Sequence, residues 1–211
     1  MDDADQARAY SEADFSESHQ RFVDLFVKRF PAWRQAAFRV VDLGCGPADV
    51  TVRFALAHPR AEVVGVDAAQ TMLELGRARV RVAGLDERVR LERRRLPDET
   101  LDGAGYDAGI SNSLLHHLPD PDVLWRTVAR SLVPGAPILV MDLCRPADDE
   151  AVAMLVGRYM ADAPAVLARD FRASLRAAYR PDEVRVQIRQ APLDLEVEQV
   201  TDRHLVVWGN R

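Results

Sequence analysis

Lysine is almost missing from this sequence: Lys28 stands alone among 28 basic residues, and the rest are arginine. Acidic residues outnumber basic ones, 33 to 28, for a net charge of −5. A surface built to hold nucleic acid needs a basic excess, so the composition argues against DNA or RNA as a partner. Cysteine is scarce too. Cys45 and Cys144 each close an apolar run rather than standing at a disulfide-type spacing, which fits reduced thiols in a cytoplasmic protein. Long hydrophobic runs are absent, and the acidic, polar start MDDADQARAYSEADF reads as neither signal nor transit peptide, so no membrane partner is expected. There is no Cys/His spacing of the zinc type and no G-K-[ST] P-loop. Internal repeats and low-complexity segments are also absent.

What is present is a rhythm. The 211 residues, 48% of them hydrophobic, suffice for one well-buried domain. Residues 4–30 read as helical, with Phe22, Leu25, Phe26 and Phe30 on one stripe and Pro31 as the stop. Strand-like runs then alternate with helical ones: 39–44, 61–67, 89–94, 106–113 and 136–143 against 49–58, 69–84 and 120–133. Asp120 is a candidate N-cap and Pro121 the first residue of the last of these helices. Such alternation specifies a parallel sheet covered on both faces. Residues 144–192 hold no strand-like run and contain three helix patterns; in the second, Leu167, Phe171, Leu175 and Tyr179 share a face. LDLEVEQV and HLVVWG, separated by TDR, form a terminal β-hairpin.

In parallel sheets ligands bind beyond the carboxyl ends of the strands. VVDLGCGPAD (40–49) puts Gly44 and Gly46 at such an end, where glycine lets backbone approach a ligand. The dinucleotide fingerprint G-x-G-x-x-G is not met, because Asp49 replaces the third glycine and brings a carboxylate to where a pyrophosphate would lie. That disfavours a nicotinamide-dependent dehydrogenase. Asp67 stands 21 residues beyond Gly46, at the end of the next strand, where an acid can take both hydroxyls of a ribose. A ribose-bearing cofactor without phosphate fits these residues, and S-adenosylmethionine is one.

Four segments together carry a family resemblance: VVDLGCGPAD, VVGVDAAQTML, YDAGISNSLLHHLPDP and LVPGAPILVMDL. In order and spacing, over residues 39–143, they resemble the class I S-adenosylmethionine-dependent methyltransferases. The resemblance implies an α/β, Rossmann-like fold with a seven-stranded, mostly parallel sheet and helices on both faces. The terminal hairpin would supply its one antiparallel strand. The segments would be an N-terminal helical lid (1–38), the cofactor-binding core (39–143), a helical cap inserted before the hairpin (144–192), and the hairpin itself (193–211). It further implies that Asp42, Gly44, Cys45, Gly46 and Ala68 lie along the cofactor, that Asp67 binds the ribose hydroxyls, and that Met72 packs on adenine. Asn112 and Ser113 would line the methionine end. Many relatives carry an acid just after the third strand; here the run is ERRRLPDE, so adenine contacts fall to backbone near Arg95 and Leu96.

Cys45 reads as packing material rather than a nucleophile. Asn112 and Ser113 are also ordinary turn formers. His116 and His117 are adjacent and point apart, which suits no joint metal site, and the fourth strand ends in S-N-S rather than carboxylates, so no metal is expected. Methyl transfer is an in-line displacement that needs positioning, and for an O–H or N–H nucleophile a base. His19, His116, His117 and Asp142 are the candidates. Tyr10, Phe15, His19, Arg145 and Phe171 are candidate acceptor contacts. Asp142 and Arg145, flanking the end of the fifth strand, either pair with each other or touch substrate. Arg169, Arg172, Arg176 and Arg180 form a stripe that reads first as a solvated face and second as an anion clamp. No N/D-P-P-Y/F stretch of the base-modifying relatives follows the fourth strand, and the two added helical segments suit a closed pocket for a small molecule. Residues 8–20 and 148–180 are expected to close over the cofactor, with the terminal hairpin taking no part. A peptide or protein acceptor, or a non-catalytic S-adenosylmethionine-binding protein, are the rival readings.

Overall fold

The computed structural model describes residues 15–211. Seven strands form one sheet: β1 (Phe38–Leu43), β2 (Ala61–Asp67), β3 (Val89–Arg93), β4 (Ala108–Asn112), β5 (Pro137–Leu143), β6 (Asp194–Gln199) and β7 (His204–Asn210). Their order is β3-β2-β1-β4-β5-β7-β6. The pairings from β3 across to β5 are all parallel, whereas β7 runs antiparallel to both β5 and β6. The seven-stranded, mostly parallel sheet with a single reversed strand from the hairpin is therefore as expected. β5 is buried at every position, as a central strand covered on both faces must be.

The helices are α1 (Ser16–Arg29), α2 (Asp49–Ala57), α3 (Gln70–Val82), α4 (Asp122–Ser131), α5 (Asp149–Tyr159), α6 (Ala165–Ala177) and α7 (Pro181–Ile188). α1 buries Phe22, Val23 and Phe26, with the Phe26 ring edge-on to Phe54 of α2 at 4.8 Å. Residues 4–14 of the expected first helix, including Tyr10, lie outside the described residues. α4 begins at Asp122 with Pro121 as its N-cap, one residue later than Asp120 suggested. Asp120 instead accepts a hydrogen bond from the Asp122 N–H through its side chain. Tyr179 lies beyond the end of α6 and bridges to Cys144 rather than continuing the helical face.

The chain winds outward from β1 to β3 and then returns to start β4 on the other side of β1. Loops leaving the carboxyl ends of β1 and β4 thus diverge, and the crevice between them is where an α/β sheet binds ligand. α5 and α6 stand over this edge with an apolar core of their own, in which Leu143, Val152, Leu155, Val156, Leu175 and Ala178 are buried together. Among the described residues no helix is long and apolar enough to cross a membrane.

Candidate active site

After β1 the backbone turns through left-handed residues: Gly44 at φ 74°, Gly46 at φ 51° and Ala48 at φ 60°. The N–H groups of Gly44 and Cys45 both donate to the Val66 carbonyl, at 2.8 and 3.0 Å, which ties the loop to the end of β2. The two glycines do different work. A Cβ at Gly44 would meet the Leu114 side chain at 2.8 Å, so that glycine makes room for protein. A Cβ at Gly46 would meet nothing within 4 Å. Of the two, only Gly46 borders open space. Gly76 of α3 packs on this loop, where a Cβ would lie 3.1 Å from Ala48 and 3.3 Å from the Pro47 backbone.

Asp67 closes β2 and anchors the same turn. Its Oδ2 accepts from Gly46 N–H at 2.9 Å and its Oδ1 from Ala69 N–H at 2.8 Å. Each carboxylate oxygen has two lone pairs, so each can accept one more donor. Beneath the loop Asp42 is buried and accepts from Thr51 Oγ1 at 2.6 Å. Burial drives its pKa up to about 7, with the Thr51 hydroxyl opposing and the Asp67 charge adding. Burial, with Asp42 and Asp67 nearby, also pushes the Cys45 thiol well above its ordinary range, which leaves it a poor nucleophile.

Asp49 opens α2. Burial alone would raise its carboxyl, but hydrogen bonds from His19 Nδ1 at 2.6 Å and Arg53 Nε at 2.8 Å outweigh that and hold it well below the usual carboxylate range. A carboxylate in the first turn of α2 repels a pyrophosphate that would approach this helix N-terminus.

At the end of β4, Ser111 Oγ donates to the Leu43 carbonyl at 2.7 Å, locking β4 to β1. Asn112 keeps a buried side-chain oxygen without a partner, and Ser113 turns the chain at φ 58°. A single 3-10 turn, Leu115–His117, follows. Asp142, near the end of β5, organises it. Its Oδ2 accepts from Leu115 N–H at 2.7 Å, and its Oδ1 accepts from Leu143 N–H at 2.7 Å and from His116 Nδ1 at 2.5 Å. With Nδ1 carrying the proton toward Asp142, Nε2 of His116 is left with its lone pair. The two side chains are 4% and 2% exposed. The two histidine rings do not point apart as expected: within the tight 3-10 turn the His117 ring lies 4.0 Å from that of His116. Desolvation, with the neighbouring His116 adding, pulls the His117 pKa down to about 4.

Beside this turn lies a cavity of about 510 Å³. Phe15 and His19 of the N-terminal segment form one wall; Ser113, His116 and His117 form the floor. Tyr159, Met160, Leu167 and Phe171 roof it from the α5 and α6 region. The start of β7 closes it with Arg203 and His204. The hairpin contributes to this wall because an antiparallel strand begins where its parallel neighbours end: His204 is the register partner of Leu143.

Of the expected residues, Phe15, His19, Ser113, His116, His117 and Phe171 line this one cavity. Asp142 does not; it is buried behind His116 and acts on the cavity only through that ring. Arg145 does not line it either. It pairs with Glu183 rather than with Asp142, because Asp142 is already taken by His116. Gly44, Cys45, Gly46, Asp67 and Ala68 cluster at the neighbouring strand ends. Met72 is 2% exposed and packs with Ala69 and Leu75, while Arg95 is exposed and Leu96 half-buried. The arginine stripe is largely consumed locally: Arg169 pairs with Asp170, Arg176 with Asp149, and Arg180 donates to the Ala147 carbonyl. His204, Arg203, Tyr159 and Met160 escaped the sequence reading.

The cofactor suggested by the sequence can be tested against these residues. S-adenosylmethionine brings ribose hydroxyls, which suit the spare lone pairs of Asp67, and an ammonium group, which suits an unpartnered acceptor such as the Asn112 oxygen. It has no phosphate to be repelled by Asp49, and the open space at Gly46 admits it. The residues fit.

Comparison with known proteins points the same way. The family model described as "Methyltransferase domain" matches residues 41–138. The chain is 31% identical over 159 residues to a ubiquinone biosynthesis O-methyltransferase of Bordetella avium, covering 74% of this chain but only 62% of that protein's length. It is 34% identical to a ubiquinone/menaquinone biosynthesis C-methyltransferase of Syntrophotalea carbinolica, over 72% of this chain and 67% of that protein. A crystal structure of a SAM-dependent methyltransferase from Aquifex aeolicus shares the fold, with a TM-score of 0.73, 97% coverage of both chains and 16% identity. Sequence, sheet order and relatives agree that the chain belongs to the class I methyltransferases, whose cofactor is S-adenosyl-L-methionine.

Proposed function

We propose that this protein transfers a methyl group from S-adenosylmethionine to a small-molecule acceptor held in the cavity above β4 and β5, with His116 as general base. The observation that carries the reading is the pairing of Asp142 with His116 at 2.5 Å on the floor of an otherwise largely apolar cavity. When bound, the cofactor supplies an electrophilic methyl whose sulfur keeps the bonding pair and leaves as a neutral thioether. The protein's task is then to position the acceptor and manage one proton. His116 Nε2 takes the proton of the attacking O–H or N–H group, while Asp142 holds the ring and offsets the charge the ring gains. Asp67 and the backbone at Gly46 would hold the cofactor's ribose, Asn112 its methionine end, and Ala68, Met72 and Leu96 would flank adenine. Phe15, Met160 and Phe171 exclude water from the reacting atoms. The relatives named above take their names from quinone biosynthesis, which supports a small acceptor rather than a macromolecule.

The test is to incubate the purified protein with S-adenosylmethionine and fractionated small-molecule extract and to quantify S-adenosylhomocysteine. With an active fraction in hand, His116→Gln should lower kcat roughly 100-fold, the scale of a lost general base, with S-adenosylhomocysteine affinity unchanged. Asp142→Asn should lower kcat less and shift the acid limb of the pH profile. Undiminished turnover by His116→Gln would remove the base. Tight cofactor binding with no product from any fraction would favour a non-catalytic binding protein.

A further inference from the structure

The cavity wall concentrates imidazole: His19, His116, His117 and His204 are four of the five histidines in the chain. They are not a metal site, since among the described residues no group of three or more His, Cys, Asp or Glu is placed to hold an ion. Three have one ring nitrogen tied: His116 to Asp142, His19 to Asp49 at 2.6 Å, and His204 to Thr201 Oγ1 at 3.1 Å. Each therefore has its other nitrogen for the cavity. Burial, together with the Arg203 charge, pulls the His204 pKa down to about 4, like that of His117, so both rings are uncharged at neutral pH.

The permanent charges are already matched. Among the described residues the one guanidinium on the wall is Arg203, which lies 3.4 Å over the Tyr159 ring and 3.5 Å from Asp202. Glu17 and Asp170, the two carboxylates on the wall, each pair with an arginine at 2.9 Å, Arg21 and Arg169. The remaining surface is mostly apolar, with Phe15 and Phe171 as its rings and Leu143, Met160 and Leu167 between them, and its other polar groups are the uncharged hydroxyls of Ser18, Ser113 and Ser174. A carboxylate or phosphate entering here would shed its hydration and find no unspent cation. An ammonium would find carboxylates that arginines already neutralise.

Resting on the methyltransferase reading, we infer that the acceptor is an uncharged, hydroxylated ring compound that places its reacting hydroxyl at His116 and a second polar group at His19. The reacting O–H gives its proton to His116 Nε2 as the carbon–oxygen bond forms and the sulfur–methyl bond breaks. Asp49 is then a positioning residue, holding His19 by Nδ1 so that Nε2 meets the second group.

The test is calorimetry on the full chain saturated with S-adenosylhomocysteine, using 2,7-dihydroxynaphthalene, its 3-carboxylate and its aminomethyl analogue as probes. The uncharged probe should bind at least about tenfold more tightly than either charged one. Asp49→Asn should weaken that probe and leave the gap between probes in place, with Asp49→Glu restoring binding. The double variant Glu17→Gln, Asp170→Asn should narrow the gap to the carboxylate. Equal or tighter binding of a charged probe overturns the inference, and so does binding of none of them at millimolar concentration to protein that binds S-adenosylhomocysteine normally. If S-adenosylhomocysteine itself does not bind, it is the methyltransferase reading that falls.

Discussion

Replacing Asp42 with asparagine should stabilise the protein increasingly as pH rises from about 4 to 7. Asp42 is 1% exposed and has one side-chain donor, Thr51 Oγ1. Burial lifts its pKa from 3.8 to about 7. Between those values the unfolded chain has released the proton and the folded chain still holds it. Stability conferred by the protonated carboxyl is therefore complete below about 4, falls with rising pH, and is gone once the folded group ionises near 7. A gap of roughly three pH units at about 1.36 kcal/mol each makes the loss ~4 kcal/mol, an upper figure for a site that can relax. Asparagine has nothing to ionise, and its side-chain oxygen can still accept from Thr51. Its amide nitrogen adds a cost, but one that does not vary with pH, so the slope decides rather than the absolute stability. Urea unfolding of both proteins without cofactor, from pH 4.5 to 8.5, should show the variant gaining on the wild type by up to ~3 kcal/mol, the part of that window above pH 4.5. Parallel pH profiles would refute the reasoning and mean that Asp42 ionises in the folded protein as readily as in the unfolded one.

Asp67→Ala should weaken S-adenosylhomocysteine binding by about 2–3 kcal/mol, the scale of charged hydrogen bonds lost together with the anchoring of Gly46 and Ala69; unchanged affinity by calorimetry removes the ribose assignment. The two loop glycines should separate cleanly. Gly44→Ala should destabilise by about 2 kcal/mol or more, because a Cβ there combines a left-handed backbone with a 2.8 Å contact to Leu114. Gly46→Ala should cost only about 1 kcal/mol in stability but lose most cofactor affinity, since its Cβ projects into open space. The reverse order in thermal unfolding and binding would show that the ligand face of the loop has been misassigned.

The frame of this fold was legible because local signals agreed with one another. Runs such as RVVDLG and APILVMDL can only be central strands, and the switch to helical spacing between them forces parallel crossovers. The place of Asp67 at the end of β2, beside Gly46, was legible for the same reason: the distance between them is set by one helix and one strand, and both formed. Where the reading slipped, tertiary contacts decided. Gly44 and Gly46 look equivalent in sequence, and only the position of Leu114, seventy residues on, distinguishes them. Asp142 sits three residues from Arg145 near a strand end, which suggests a pair. The strand, however, delivers Asp142 to the turn after β4, where two backbone N–H groups and an imidazole claim it first.

The contrast between Asp42 and Asp142 shows what that delivery achieves. Both are 1% exposed, and both lie near the carboxyl ends of central strands. Asp42 meets a single hydroxyl; Asp142 meets three donors held by the fold, and a carboxylate so supplied can orient an imidazole. The same edge explains His204. Reading HLVVWG as a strand places its side chains in alternation but not which end of the sheet it starts from. Its reversed direction does that. A strand antiparallel to β5 must begin beside the end of β5, so the hairpin turn and the first residue of β7 necessarily face the cap. The signal was therefore in the sequence, as a histidine at the head of the reversed strand. It becomes readable once strand direction, and not strand identity alone, is carried through to the edge where the chemistry lies.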